Sequence, residues 1–296
     1  MSAAVRHEPH RQTPRRHSLV RLVLFRGIER LCRALGGRGH YRRRYLSAGR
    51  FEVRHERVVT SAPELVGLRF VQLSDLHAGP FLGTGDLADV VEAINALEPD
   101  LCFFTGDLVA HEVDEAWLVL DDLAQLEARG GVFAVFGNHD YKDRREGEIA
   151  ARYGARGIRF LRNEAVRPFD GLPLVVLGVE DLEEARSLDI GPARAELVPG
   201  DFEVVLCHNP HGSQALIGPA TGVVLSGHAH GNQVNLPVVR RVGPGHPGDR
   251  FEVEGPDGKV PLITSRGLGV VGIPLRIRAQ PDIVCIELVA ADEAGA

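Results

Sequence analysis

The stretch LRFVQLSDLH, residues 68–77, contains the pattern that decides the fold. Its first six residues are mostly apolar, which is typical of a buried strand, and Asp75 and His77 follow almost at once. A helical pattern comes next over residues 86–97, with Pro99 just beyond its end. The segment therefore predicts a strand and then a helix, with polar side chains where the strand ends.

The same alternation continues along the chain. Strands are predicted at residues 101–104 and 132–136, and helices at residues 115–128 and 144–153. Short strands then dominate, at residues 174–177, 203–207, 222–225, 262–264 and 283–288. Gly and Pro in residues 240–258 indicate a long loop or an exposed hairpin. We therefore expect an α/β fold with a second, strand-rich half stacked on the first.

Acids, amides or imidazoles stand just past the carboxyl ends of five predicted strands. The five segments are residues 74–77, 106–107, 137–140, 207–209 and 226–230. In open α/β sheets, ligands bind in the crevice outside these strand ends. Residues two apart in an extended chain point the same way, so Asp75 with His77, and His228 with His230, each aim two side chains into one pocket. Carboxylates and imidazoles bind borderline divalent cations, so these segments predict a metal site.

Glycine precedes three of these polar residues, at Gly106, Gly137 and Gly227. Glycine adopts backbone conformations that other residues avoid, so we expect the chain to turn sharply off each strand there. One Asp or His at a strand end is commonly a cap or turn residue. The conjunction of five such segments is what indicates a functional site.

Together these segments resemble the calcineurin-like metallophosphoesterase superfamily, whose signature DxH, GD, GNH(D/E), H and GHxH is present here in order. The resemblance covers about residues 68–290. Gln233 and residues 265–269 are similar to the bacterial subgroup that acts at or near membranes. The resemblance implies a four-layer α/β/β/α sandwich, with two mixed sheets face to face and helices outside.

The resemblance also implies two divalent metal ions, for which the mixed oxygen and nitrogen ligands suit Mn, Fe or Zn. It assigns Asp75, His77 and His230 to one ion, Asn138, His208 and His228 to the other, and Asp107 to both. Two such ions hold a hydroxide between them for in-line attack on phosphorus. The chain is therefore expected to hydrolyse a phosphoester or pyrophosphate bond.

The resemblance implies catalytic roles for Asp107, as the bridge, and for His139, which is not a ligand and, if cationic, would balance charge on the phosphoryl oxygens or protonate the leaving oxygen. Candidate substrate contacts are Asn138, His139 and Arg266, with a surface ion pair as the competing interpretation of Arg266. Asp140 either orients His139 or is a solvated loop acid.

The amino-terminal segment differs in composition from the rest. Thirteen arginines and two acidic residues give residues 1–50 a formal charge of +11, against −17 for the remaining chain. We predict a basic arm over residues 1–60 and a metallophosphoesterase domain over residues 61–296. Within the arm, an amphipathic helix is indicated by Val20, Leu24, Ile28, Leu31 and Leu35.

Two interpretations of this helix stay open. Residues 15–45 bind an anionic membrane surface, which places the protein on the cytoplasmic face of the cell membrane, or the helix packs on its own domain. Arg15-Arg16 before an apolar stretch also resembles a twin-arginine export signal, although Arg21 and Arg26 interrupt that stretch.

The substrate is expected to be a phosphorylated small molecule or lipid, such as UDP-diacylglucosamine of lipid A biosynthesis. A soluble phosphodiesterase of broad specificity and a metal-poor scaffold of the same fold are the alternatives. The acidic body offers no track of Lys and Arg for a nucleic-acid backbone, so no nucleic-acid partner is expected. GLGVVG at residues 267–272 spells a dinucleotide-binding motif, but Pro274 disfavours the helix that this motif requires, so we interpret it as a glycine-rich turn.

Overall fold

A computed structural model describes residues 19–185, 188–235, 246 and 248–293, and it confirms the two-sheet α/β fold. Within the described residues the strands form two six-stranded sheets. The first sheet has the order β1-β12-β2-β3-β4-β5, and the second has the order β10-β11-β9-β8-β7-β6. The strands are β1 (Glu52–Val59), β2 (Arg69–Leu73), β3 (Leu101–Thr105), β4 (Val132–Val135), β5 (Ile158–Phe160), β6 (Glu164–Val166), β7 (Leu174–Gly178), β8 (Phe202–Leu206), β9 (Thr221–Ser226), β10 (Arg250–Gly255), β11 (Gly258–Thr264) and β12 (Asp282–Val289).

The helices described are α1 (Leu19–Ala34), α2 (Gly37–Tyr41), α3 (Ala88–Asn95), α4 (Trp117–Leu123), α5 (Glu146–Gly154) and α6 (Gly191–Arg194). Of these, α3, α4 and α5 pack on the outer face of the first sheet, and α6 packs on that of the second. Strands β2 to β5 are mutually parallel, as are β7, β8 and β9. Parallel strands have their carboxyl ends at the same edge of a sheet, so each sheet delivers its polar strand ends to one edge.

Apolar side chains fill the space between the two sheets. Phe70 and Phe103 meet there with ring centroids 5.6 Å apart, opposite Val204 and Leu225 of the second sheet. Burial of each such side chain contributes about 1.5–3 kcal/mol. The strands read as continuous apolar runs because they are buried on both faces, between the facing sheet and the outer helices.

The amino-terminal region is more integrated into the fold than the predicted arm suggests. Residues 52–59 form the edge strand β1, which pairs in parallel with β12. The chain just before it contributes Tyr41, Leu46 and Phe51 to the core beneath the first sheet. The sequence of this strand lacks an apolar pattern because it contains four consecutive polar residues: Arg54, His55, Glu56 and Arg57.

Helix α1 confirms the predicted helix, and its two sides have different surroundings. Glu29 is buried, and its carboxylate lies 2.7 Å from His111 Nε2 of the domain. Phe25, Ile28 and Leu31 are 50, 39 and 59% exposed. The helix therefore contacts the domain through Glu29 and Cys32, while its apolar side chains on the other side stay partly exposed. The side chains of Val20 and Leu24 and the arginine pair at Arg15-Arg16 lie outside the described residues. Among the helices described, none combines the length and the apolar character needed to cross a bilayer.

Candidate metal centre

The polar strand ends of both sheets meet in one place. The first sheet supplies Asp75 and His77 after β2, Asp107 after β3 and Asn138 after β4. The second sheet supplies His208 after β8, and His228 and His230 after β9. The structure therefore brings together all seven side chains that the sequence singled out as ligands.

One group of potential ligands contains Asp75, His77, Asp107 and His230, whose nearest ligand atoms all lie within 4.8 Å of one another. The Nε2 atoms of His77 and His230 are 2.9 Å apart. Asp107 Oδ2 lies 3.5 Å from His77 Nε2, and Asp75 Oδ1 lies 3.4 Å from His230 Nε2. These atoms converge as the ligands of a single cation do.

A second group contains Asp107, His208 and His228, again within 4.8 Å of one another. His208 Nε2 lies 3.4 Å from Asp107 Oδ2 and 3.3 Å from His228 Nδ1. Asn138 Oδ1 joins them, 3.1 Å from His228 Nδ1. Asp107 belongs to both groups, and this is the arrangement that a carboxylate bridge between two ions requires.

The chemistry of these donors fits a pair of borderline divalent ions. Thr105 O lies 2.7 Å from His208 Nδ1, so this ring donates to the carbonyl and keeps the lone pair of Nε2 for a metal. Two imidazole nitrogens that face each other, as in His77 and His230, are accommodated by a cation that both can bind. The ligand set of nitrogens and oxygens does not select between Mn, Fe and Zn.

The protonation states of most of these side chains also suit metal binding. The exception is His208: burial acts to lower its pKa, but the Asp107 carboxylate raises it well above the usual range, so a metal ion would replace the proton on this ring. Burial lowers the pKa of His228 to about 4 and lowers the pKa values of His77 and His230 well below the usual range, so these rings are neutral at pH 7.

Burial alone would raise the pKa of Asp107. The neighbouring His208 and His139 outweigh this effect and hold the pKa well below its usual range, so the carboxylate is ionised. Burial raises the pKa of Asp75 to about 7, and a bound cation would favour its ionised form.

The backbone around the site is strained. Five of the candidate ligands have φ between 44° and 69°, a left-handed conformation that is uncommon for residues other than glycine: Asp75, His77, Asp107, His228 and His230. Strain of this kind collects at functional sites, where the surrounding structure holds it in place.

The glycines predicted to turn the chain act in two ways. Gly106 has a φ of +92°, as expected for a sharp turn. Gly137 and Gly227 do not need positive φ, but a Cβ atom would collide with the Asp107 carboxylate at the first and with the Asp75 carboxylate at the second. The latter two glycines therefore make room for the candidate ligands.

His139 sits at the edge of this centre. Its backbone N–H donates to Asp107 Oδ1 at 2.8 Å, and its ring packs edge-on against His77, with centroids 4.6 Å apart. Nδ1 lies 2.9 Å from Ala110 O and 2.7 Å from Lys142 Nζ. Sequence reasoning missed Lys142, although a lysine three residues after a histidine can reach it across a tight helical turn.

Asp140 fits neither interpretation of its role. It is fully buried, and its carboxylate accepts hydrogen bonds from the backbone N–H groups of Leu108, Val109 and Gly137 at 2.8–3.1 Å. These contacts tie the loop after β3 to the loop after β4. Asp140 therefore fixes the backbone that carries Asp107 and Asn138.

Arg266 lies outside the ligand cluster. Its guanidinium is 2.5 Å from Glu52 and 3.5 Å from Asp249. These contacts fit the surface ion pair that was the competing interpretation of Arg266. The glycine-rich turn that follows borders the centre, since the N–H of Gly269 donates to Asp75 O at 2.7 Å.

Known proteins share these features. Residues 68–232 match the model of the family described as calcineurin-like phosphoesterase. The chain is 29% identical over 230 residues to the "Uncharacterized metallophosphoesterase YkuE" of Bacillus subtilis, covering 75% of this chain and 79% of that protein. It is 28% identical over 255 residues to "Phosphodiesterase YaeI" of Escherichia coli, covering 83% and 91%.

A zebrafish relative, "Transmembrane protein with metallophosphoesterase domain", is 29% identical over 245 residues, which are 78% of this chain and 55% of that protein. The match to the family model covers more than half of the chain and includes every candidate metal ligand. The chain therefore belongs to the calcineurin-like phosphoesterases, a family of hydrolases.

Proposed function

We propose that this protein hydrolyses a phosphoester or pyrophosphate bond at a centre that holds two divalent metal ions. The observation that carries the proposal is the pair of ligand groups that share Asp107. Asp75, His77 and His230 would hold one ion, and Asn138, His208 and His228 the other. When bound, such ions polarise phosphoryl oxygens and lower the pKa of water.

The chain's own residues would contribute in three ways. Asp107 keeps the two ligand groups in register, and Asn138 lies where it can contact both an ion and the substrate. The ring of His139 donates from Nδ1 to Ala110 O at 2.9 Å, and Lys142 donates to the same carbonyl at 2.6 Å. Burial lowers the pKa of His139 and favours the neutral form of the ring. When Nε2 also takes up a proton, the cationic ring would donate through Nε2 to the phosphoryl or leaving oxygen, and the negative charge of a bound phosphate would favour that form.

Elemental analysis of gently purified protein, together with hydrolysis of bis-p-nitrophenyl phosphate with and without added manganese, tests this proposal. Two ions per chain and metal-dependent turnover are expected. The absence of bound metal and of turnover after reconstitution with Mn, Fe and Zn would instead favour a metal-poor scaffold.

For the substrate, we propose a lipid-linked phosphate or pyrophosphate, such as a UDP-diacylglucosamine-type compound, met at the cytoplasmic membrane surface. The exposed side chains of α1 support this proposal. The Phe25 ring lies against Gly272, and Val271 and Leu275 of the same turn are 44 and 40% exposed. This apolar surface is continuous with the turn that borders the metal centre, so an acyl chain or bilayer there would bring a phosphate close to the ions.

Vesicle flotation and substrate assays test the lipid proposal on the full chain. A variant with serine at Phe25, Ile28 and Leu31 should lose flotation with anionic vesicles. A control variant carries serine at three exposed apolar positions elsewhere: Val66, Leu188 and Val198. Equal flotation of the two variants would contradict the membrane proposal, and turnover of soluble diesters but not of lipid pyrophosphates would contradict the substrate.

A soluble phosphodiesterase of broad specificity is the second candidate. The similarity to a protein named phosphodiesterase in E. coli supports it, across 83% of this chain. The two candidates share the metal centre and differ only in the substrate, so the comparison of lipid pyrophosphates with soluble diesters also separates them.

A further inference from the structure

A separate cavity of about 260 Å³ lies where the chain after α2 meets the segment that leads into β12. It contains none of the candidate metal ligands. Its walls are formed by Arg44, Tyr45, Gly49, Arg50, Arg276, Arg278, Ala279 and Gln280. Four of these eight residues are arginines, and none is acidic. A neighbouring cavity of about 330 Å³ differs in this respect, because Glu52 and Asp249 line it together with arginines.

Arg276 provides a buried positive charge at the base of this arginine cavity. It is only 5% exposed, and all three of its guanidinium nitrogens already donate: Nη2 to Gly269 O at 2.5 Å, Nη1 to Arg266 O at 2.8 Å and Nε to Tyr41 Oη at 3.1 Å. Arg276 therefore adds positive charge to the cavity but no free donor nitrogen. Within the described part of the chain, no carboxylate lies within ion-pair distance of it. Burial of a cation without a counter-ion is costly, and a bound anion would offset that cost.

The other three guanidinium groups stand at the open side of the cavity. Arg44, Arg50 and Arg278 are exposed, and none of them forms an ion pair with a carboxylate in the described ranges. Arg44 stacks over the Tyr45 ring, 5.5 Å from its centroid, which limits where its charge can lie. Arg278 has a φ of +52°, a conformation that costs energy for a residue with a side chain.

We propose that the arginine cavity binds a phosphate group, at a site separate from the metal centre. Four arginines line this cavity, and planar guanidinium forks match the oxygens of a phosphate better than the point charge of an ammonium group does. The volume is below the range of about 300–1,000 Å³ that is usual for small-molecule sites. The cavity therefore suits a phosphate with little attached to it inside, either a soluble phosphate compound or the headgroup of a lipid.

Titration of the metal-loaded full chain with inorganic phosphate tests this site. We expect two phosphate sites in the wild type, one at the metals and one in the arginine cavity, and only the first in the double variant R50Q/R278Q. The matched control is R156Q/R159Q, which removes the same charge from two exposed arginines outside both the cavity and the amino-terminal arm and should keep both sites.

The D107N variant makes the result independent of the proposed hydrolysis. Phosphate binding at the metals should disappear in D107N while the cavity site remains. A single site in the wild type together with none in D107N would overturn the proposal. Equal weakening in R50Q/R278Q and in the control would also overturn it, because general electrostatic attraction would then explain the binding.

Vesicles of phosphatidylcholine with phosphatidic acid as a minor component identify the source of the phosphate. Loss of vesicle binding in R50Q/R278Q but not in the control would support the site and assign it to a lipid headgroup. If R50Q/R278Q keeps its vesicle binding but loses the cavity site in the phosphate titration, the result would support a site for a soluble phosphate compound.

Discussion

Asp107 joins the two halves of the candidate centre, because its Oδ2 atom faces His77 on one side and His208 on the other. We expect Asp107→Ala to remove both ions and to abolish hydrolysis of bis-p-nitrophenyl phosphate. Elemental analysis and the initial rate measure the two effects. Retention of both ions in this variant would contradict the bridging role.

His139 gives the matching test of a residue beside the ligands. Its ring contacts His77, Ala110 and Lys142 and belongs to neither ligand group. His139→Ala should keep the metal content and lower kcat by about 10²–10⁴-fold, the usual contribution of proton transfer by a positioned side chain. Metal loss equal to that of Asp107→Ala would show that the proposed role is wrong.

Gly227 has no reactive group, yet the centre depends on it. A Cβ atom there would collide with Ser74 Oγ and the Asp75 carboxylate. We therefore expect Gly227→Ala to displace Asp75 and to lower metal content and turnover together. The control is Gly147→Ala in α5, where a Cβ atom meets nothing within 4 Å and should stabilise the helix by up to about 1 kcal/mol. Normal metal content in Gly227→Ala would contradict this steric argument.

The sequence predicted those site residues whose chemical role follows from their residue type. Asp75, His77 and the other ligands could be found because carboxylates and imidazoles at strand ends have few structural uses in such numbers. The roles of Asp140 and Lys142 could not be predicted from the sequence. For Asp140 the reason is that a buried carboxylate that accepts backbone N–H groups and an acid on a surface loop look alike in a sequence. The same holds for Arg266, whose partner Glu52 is 214 residues away.

At the level of elements, a partly buried ion pair anchors α6 to the second sheet. Arg194 donates to both oxygens of Glu203, at 2.8 and 2.6 Å, and Thr221 donates to the same carboxylate at 2.6 Å. Glu203 is fully buried. Glu203→Gln should lower the free energy of unfolding by about 1–3 kcal/mol, since the partly exposed guanidinium loses its counter-charge and the buried side chain loses an acceptor.

Urea denaturation measures this loss, and the exposed Arg156–Asp121 pair is the comparison. Asp121→Asn should change stability little, because water solvates both partners of a surface pair. If the two variants unfolded at the same urea concentration, the Arg194–Glu203 pair would have no special part in stability.

The elements that the sequence predicted best are those whose faces are both buried. β2, β3, β7 and β8 read as apolar runs, and their ends fall within one residue of prediction. β1, β5 and β6 were missed because they pair at the edges of the sheets, where strands are partly exposed and polar residues are tolerated. The predicted helix over residues 115–128 is shorter, since α4 is preceded by a tighter turn at Val113–Ala116 and ends at Leu123.

At the scale of the whole molecule, the centre joins the two sheets. Asp75, His77, Asp107 and Asn138 come from the first sheet, and His208, His228 and His230 from the second. Each ligand group draws on both sheets. A bound ion would therefore oppose separation of the sheets as well as serve the chemistry.

Removal of metal should consequently destabilise the entire fold. An ion that binds only the folded chain stabilises it by about 2.7 kcal/mol when its free concentration is roughly 100 times Kd. For a domain of this size that corresponds to a change in Tm of about 5–10 °C. We expect calorimetry to show this fall in Tm after chelation and its recovery with added manganese, in the wild type and in His139→Ala but not in Asp107→Ala. An equal Tm with and without metal in the wild type would mean that the two ligand groups do not hold an ion across the sheets.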